Sequence, residues 1–142
     1  MHLIIDGYNL LHMLRSLRQL NSVELQRERD RLVDELSSYR ELKGCEITVV
    51  FDGWQSGWNT EKREMKKGIE LIFSQLGEKA DEVIKRLAKE RGAGAIVITS
   101  DREVSSYAER LAVPVISSDR FKERLEISAV KVQKNLEQDE QE

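Results

Sequence analysis

His2-Leu-Ile-Ile-Asp6-Gly-Tyr-Asn9 opens with an apolar run that stops at an acid and a glycine. A run this short, bounded by turn residues, reads as a strand buried on both faces. Similar runs return in Ile47-Thr-Val-Val-Phe-Asp52-Gly53, in Ile69-Glu-Leu-Ile-Phe73 and in Ala95-Ile-Val-Ile-Thr-Ser-Asp101. Val113-Pro-Val-Ile116 makes a short fifth strand, and Pro114 suits it to a sheet edge. Helical segments alternate with these runs. Asn9 to Gln19 reads as a short helix, with Leu10, Leu11, Leu14 and Leu17 apolar. Asn21-Ser-Val-Glu24 has the layout of a helix start, Leu25, Leu32, Leu36, Tyr39 and Leu42 form the apolar stripe, and Gly44 ends it. Ala80, Val83, Ile84, Leu87 and Ala88 recur at the spacing of a core-facing helix, closed by Gly92 and Gly94. A further helix begins near Ser100 with Glu103 completing a capping box, and a last one runs from about Ser118 to Leu136. Strands alternating with helices predict a parallel sheet with right-handed crossovers. The fold class is therefore α/β: a three-layer α/β/α domain around a mainly parallel sheet of about five strands.

The 142 residues suit one domain. We place it at residues 1–126, with 127–142 as a C-terminal helix extension and acidic tail. Hydrophobic residues make up 39% and charged residues 35%, with no apolar run of transmembrane length and no signal-peptide layout. A cytoplasmic location is expected. Cys45 is the only cysteine, so an internal disulfide and zinc-ligand spacing are both excluded. It reads as a small buried hydrophobe rather than a reactive thiol. The net charge is −3, but Glu137, Asp139, Glu140 and Glu142 contribute four acids and no base, so residues 1–136 carry +1. That balance neither favours nor excludes a polyanionic partner.

In a parallel α/β sheet, ligands bind outside the carboxyl ends of the strands. Asp6, Asp52, Asp81 and Asp101 follow four different strands, so the fold would gather them on one edge. Carboxylates packed together repel and raise each other's pKa, a cost that a divalent cation removes. Mg²⁺ and Mn²⁺ prefer such oxygen ligands. Each acid also has a plainer reading. Asp6 and Asp52 precede glycines and suit turns. Asp81, Glu82 and Asp101 suit helix starts, where an acid stabilises the dipole by about 0.3–1 kcal/mol. Asp119 is either a peripheral fourth acid or a helix-start acid. Asn9 either caps its helix or orients Asp6 or a metal-bound water. His2 and His12 have no partner pattern, and the phosphate-binding glycine loops of nucleotide enzymes are missing.

Asp6-Gly-Tyr-Asn9, Phe51-Asp-Gly53, Lys79-Ala-Asp-Glu82 and Thr99-Ser-Asp101 occur together and in this order. The chain resembles the NYN domain family over about residues 3–126, most of all its YacP-like branch within the PIN-like nuclease superfamily. The resemblance implies a Rossmann-like PIN fold and cleavage of RNA that depends on a divalent metal. It implies that Asp6, Asp81 and Asp101 hold Mg²⁺ or Mn²⁺, and that Asn9 and Asp52 support them. Ser100 matches the small hydroxyl residue before the last acid. Lys79 departs from the threonine frequent in the branch, and the segment from Gly53 to Gly68 diverges.

That segment, read as a polar loop, carries Trp54 and Trp58 with Lys62, Arg63, Lys66 and Lys67 against two acids. Aromatic faces stack unpaired bases, and lysine or arginine meets phosphates. These six residues and Ser100 are the candidate substrate contacts. The alternative is that the tryptophans cover the sheet edge. Arg102, Arg120 and Lys122 near strand ends would add phosphate contacts. The partner expected is RNA, mRNA on the ribosome included, with no membrane. A rival reading is a catalytically inactive RNA- or ribosome-binding module of the same fold. A phosphoacceptor receiver domain fits less well, since it needs paired acids after the first strand and a lysine after the last, where this chain has Ser117-Ser118.

Overall fold

Among residues 1–53 and 59–141, which the computed structural model describes, six strands form one sheet. In chain order they are β1 (His2–Asp6), β2 (Glu46–Phe51), β3 (Lys62–Lys66), β4 (Ile69–Phe73), β5 (Ala95–Ile98) and β6 (Val115–Ile116). Across the sheet they lie in the order β3-β4-β2-β1-β5-β6. All neighbours pair in parallel except β3 and β4, an antiparallel hairpin at one edge. The helices are α1 (Gly7–Leu14), α2 (Ser22–Lys43), α3 (Ala80–Arg91), α4 (Arg102–Arg110) and α5 (Ser118–Gln141).

Successive strand residues point to opposite faces, and here both faces are covered. Leu3, Ile5, Val49, Phe51 and Leu71 pack with Leu10, Leu32, Leu36 and Phe121 of α1, α2 and α5. Ile4, Val50, Ile72 and Val97 pack with Val83, Ile84, Leu87 and Val104 of α3 and α4. The three-layer α/β/α fold is as the sequence predicts. Asp6 shares the parity of Ile4, so the strand's period aims it at the α3 and α4 side.

Several boundaries differ from expectation. The segment read as a loop from Gly53 to Gly68 contains β3, so the sheet has six strands among the described residues. The only apolar residue of β3 is the exposed Met65, which hid the strand pattern. Pairing is set by the turn at Lys67 (φ 52) and Gly68 (φ 81), which joins Lys66 to Ile69. Two consecutive left-handed residues are the signature of the tight type I′ hairpin. Trp54 and Trp58 lie outside the described residues. α1 begins at Gly7, directly after β1, and ends at Leu14 rather than Gln19. Arg15 leaves the helix in extended backbone, where its guanidinium meets Glu28 and Glu35 of α2. α4 is capped by Asp101, not Ser100, and α5 continues to Gln141. Asn21 caps α2 as expected, accepting from the Glu24 amide at 2.8 Å, and Gly44 closes it at φ 65. Cys45 is buried, and burial pushes its thiol pKa up, which suits a small packed hydrophobe.

Gly7 shows why glycine follows Asp6. A Cβ there would meet the Phe51 ring at 2.5 Å, and Phe51 is fully buried with no room to retreat. Gly7→Ala is therefore expected to destabilise the fold by about 1–3 kcal/mol through overpacking. Urea denaturation of the purified variant checks this, and an unchanged midpoint would contradict the close approach.

Candidate active site

The register of β1 and β5 pairs Ile5 with Ile98, which sets Thr99 beside Asp6. The Thr99 hydroxyl donates to Asp6 Oδ2 at 3.0 Å and accepts the Asp101 N–H at 3.1 Å. One threonine thus ties the end of β1 to the start of α4. Asp101 caps α4 by accepting from the Val104 amide at 3.0 Å. Asp81 lies in the first turn of α3 and is half-buried.

These acids feel one another. Asp6 is buried, and its pKa rises from 3.8 to about 6. Desolvation is the main cause, and the charges of Asp81 and Asp101 add to it. The hydrogen bond from Thr99 and the Asn9 backbone N–H pull the other way. The Asp81 pKa is also raised, first by burial and then by Asp101 and Glu103, against Lys85 and Lys79. Asp101 is thus both a helix cap and a member of the acidic set, so its plain and functional readings coexist.

The other expected site residues stand further out. Asp52 is exposed at the end of β2, where the following Gly53 amide donates to Ser74 Oγ at 2.9 Å. Asn9 Oδ1 accepts from the Ser100 amide at 2.9 Å and the Ser118 hydroxyl at 2.5 Å. Ser100 Oγ in turn accepts the Ser118 amide at 3.1 Å. Asn9 and Ser100 therefore bracket α1, β5 and α5 together beneath the acids. Thr99 and Ser118 were not singled out by sequence reasoning, because nothing local marks a hydroxyl whose partner lies across the sheet. Lys85 was also missed, although it lies four residues after Asp81 on one helix face. It pairs with Glu103 at 2.7 Å and Glu82 at 3.7 Å.

The predicted RNA-binding bases are engaged within the chain. Lys62 Nζ stands 5.8 Å from the Phe73 ring centre. Arg63 pairs with Glu61 at 2.8 Å, Lys66 with Asp30 and Glu64 at 3.8 Å each, and Lys67 with Asp34. Exposed pairs of this kind are worth about 0–1 kcal/mol, so a phosphate could displace the carboxylates at little cost. Arg102 and Arg120 are exposed, and Lys122 pairs with Glu126 at 3.9 Å.

The donor chemistry fits a hard divalent cation: the set is all oxygen, and its carboxylates raise the pKa of Asp6 and Asp81 by their charge. Among the described residues, no three His, Cys, Asp or Glu side chains are close enough to form a ready-made metal cage. The two observations agree once reach is considered, since Coulombic coupling extends well beyond coordination distance. Among the described residues, clefts of about 500 and 440 Å³ flank α5, one against α2 and one against Leu3, Cys45 and Ile96.

Asp6 imposes a pH dependence of definite sign. Its folded pKa of about 6 exceeds its ordinary 3.8, so between those values the folded chain holds the proton more tightly. Without metal, the contribution is most favourable below the ordinary pKa and is lost as pH rises through about 6. The full loss is roughly 3 kcal/mol. Urea denaturation in EDTA across this range is expected to show wild type losing stability relative to Asp6→Asn. Parallel pH profiles would contradict the assignment.

Comparison with known proteins fits this geometry. The YacP-like NYN domain family matches residues 3–142. The uncharacterized protein YacP of Bacillus subtilis is 30% identical over 111 residues, 78% of this chain. The chain spans 64% of the length of that relative. A crystal structure of Rae1 (YacP) from Bacillus subtilis, a tryptophan-to-leucine mutant, superposes with a TM-score of 0.83 at 23% identity, covering 99% of this chain and 84% of the other. A second Rae1 (YacP) structure gives 0.77 at 24% identity, with 97% and 80% covered. Motif order, fold and family match agree: the chain belongs to the YacP-like NYN domain family, a branch of the PIN-like nucleases.

Proposed function

We propose that the chain is a metal-dependent endoribonuclease that hydrolyses RNA phosphodiester bonds in the cytoplasm. The observation that carries this reading is the buried Asp6 carboxyl, held near pKa 6 partly by acids from α3 and the start of α4. The charges of Asp81 and Asp101, from distant parts of the sequence, both reach Asp6 and raise its pKa. Asp6, Asp81 and Asp101 would hold Mg²⁺ or Mn²⁺, and Asn9 and Asp52 would support the site. When bound, the ion supplies Lewis acidity toward the phosphate and lowers the pKa of a coordinated water.

The chain's own residues prepare that chemistry. Thr99 orients Asp6 through Oδ2, and the Asn9 backbone N–H also holds the carboxyl. Asp101 commits one oxygen to the α4 cap and keeps the other. The bracket of Asn9, Ser100 and Ser118 holds the two strand ends in register. Water as nucleophile would leave a 5′-phosphate and a 3′-hydroxyl. No histidine base is required.

The test is incubation of wild type and Asp101→Asn with mixed RNAs, in Mn²⁺ or in EDTA. Wild type is expected to cut only with metal. Asparagine caps a helix as well as aspartate, so the variant should keep its thermal midpoint. It should lose cleavage by about a hundredfold or more, since several kcal/mol of charge stabilisation depend on the ion. Full activity in the variant would remove Asp101 from the site. RNA binding without metal-dependent cleavage in wild type would make the domain the inactive binding module instead.

A further inference from the structure

Arg29 is a half-buried cation on α2 whose described hydrogen-bond partners are neutral. Its Nη1 donates to the Tyr8 hydroxyl at 2.7 Å and its Nη2 to Gln26 Oε1 at 2.5 Å. Its guanidinium lies 5.9 Å from the Phe73 ring centre. Its Nε is buried with no hydrogen-bond partner among the described residues. No described carboxylate pairs with it. Arg15, packed against the same helix, has the carboxylates of Glu28 and Glu35 beside it. A guanidinium that gives up water without a counter-charge raises the energy of the folded state. An arriving anion would relieve it.

The location is specific. Phe51 and Phe73 are paired in register at the carboxyl ends of β2 and β4, with ring centres 5.5 Å apart. Tyr8 stands 5.0 Å from Phe51. An aromatic row thus runs along the sheet edge from a point two residues past Asp6 to Arg29. Lys62 lies over the same Phe73 ring. Asp6 faces the α3 and α4 layer, whereas this row lies on the α1 and α2 side. Both the acids and Arg29 stand at the carboxyl edge of the sheet, Arg29 by its contact with Phe73 at the end of β4.

We infer that Arg29, braced by Tyr8, Gln26 and Phe73, binds a phosphate of the RNA strand next to the one that is cut. This rests on the ribonuclease reading above. Guanidinium suits the role because its planar fork meets phosphate oxygens two at a time. Arg29 is a positioning residue and not part of the reacting set.

The test is equilibrium binding of a short single-stranded RNA in EDTA at several salt concentrations, with steady-state cleavage in Mn²⁺. Arg29→Gln should weaken binding about tenfold at low salt and flatten the log–log salt slope by about 0.7, the share of one phosphate on a single strand. KM should rise by more than kcat falls. Arg29→Lys should restore the slope. Gln26→Glu places a carboxylate on the guanidinium, so it should raise the thermal midpoint while weakening RNA binding. Ser38→Glu, with the same charge change further along α2, should leave the salt slope as in wild type. If wild type binds and cuts RNA but Arg29→Gln and Gln26→Glu keep its affinity and slope, Arg29 is a packing residue and the ribonuclease reading stands. If wild type neither binds nor cuts RNA, that reading fails and this inference fails with it.

Discussion

Asp6 is a buried carboxylate at the end of the central strand, and the site is organised around keeping it there. Its charge is opposed by desolvation and by two other acids, which together lift its pKa to about 6. A single hydroxyl, Thr99 Oγ1, supports the ionised form from the neighbouring strand. Such a group weakens a metal-free protein near neutral pH, so its presence needs compensation. A divalent cation is the agent that turns mutual repulsion among carboxylates into attraction toward a common centre.

Besides the contacts of Thr99 and the Asn9 N–H with Asp6, the scaffold ties the strand ends together with polar contacts. Asn9, Ser100 and Ser118 lock α1, β5 and α5 through three hydrogen bonds at the carboxyl edge. Ser74 does the same for β2 and β4, receiving the Gly53 amide and donating to the Glu78 carbonyl at 2.7 Å. Gly7 lets α1 start directly against Phe51, which keeps the turn after Asp6 tight. The described strand ends are thus tied to one another by hydrogen bonds, with the acids beside them.

Much of this was legible from residues alone. The apolar runs of β1, β2, β4 and β5 mark strands covered on both faces. The strand-end rule gathers Asp6, Asp52, Asp81 and Asp101, of which Asp81 and Asp101 act on Asp6 by charge while Asp52 stands exposed at the end of β2. Asn21 and Gly44 declare the ends of α2 by their local chemistry. β3 was not legible, because an exposed edge strand of Lys, Arg, Glu, Met and Lys carries no hydrophobic period. Ser100 and Asp101 each stand three residues before an available amide, and only the tertiary contact of Ser100 with Ser118 leaves the cap to Asp101. Thr99 and Ser118 act across long stretches of sequence, so their roles exist only once β5 lies beside β1. Arg29 was hidden for a related reason: within α2 it is one charge among many, and its lack of an acidic partner appears only in three dimensions.

The central claim is that Asp6, Asp81 and Asp101 share one divalent cation. The most direct test is a crystal structure of the protein grown with Mn²⁺, with anomalous scattering recorded at the manganese edge. The account predicts a peak within coordinating distance of carboxylate oxygens from all three residues at the end of β1, with Thr99 still on Asp6 Oδ2. A manganese peak elsewhere, or none at saturating Mn²⁺ with the three side chains still apart, would contradict it.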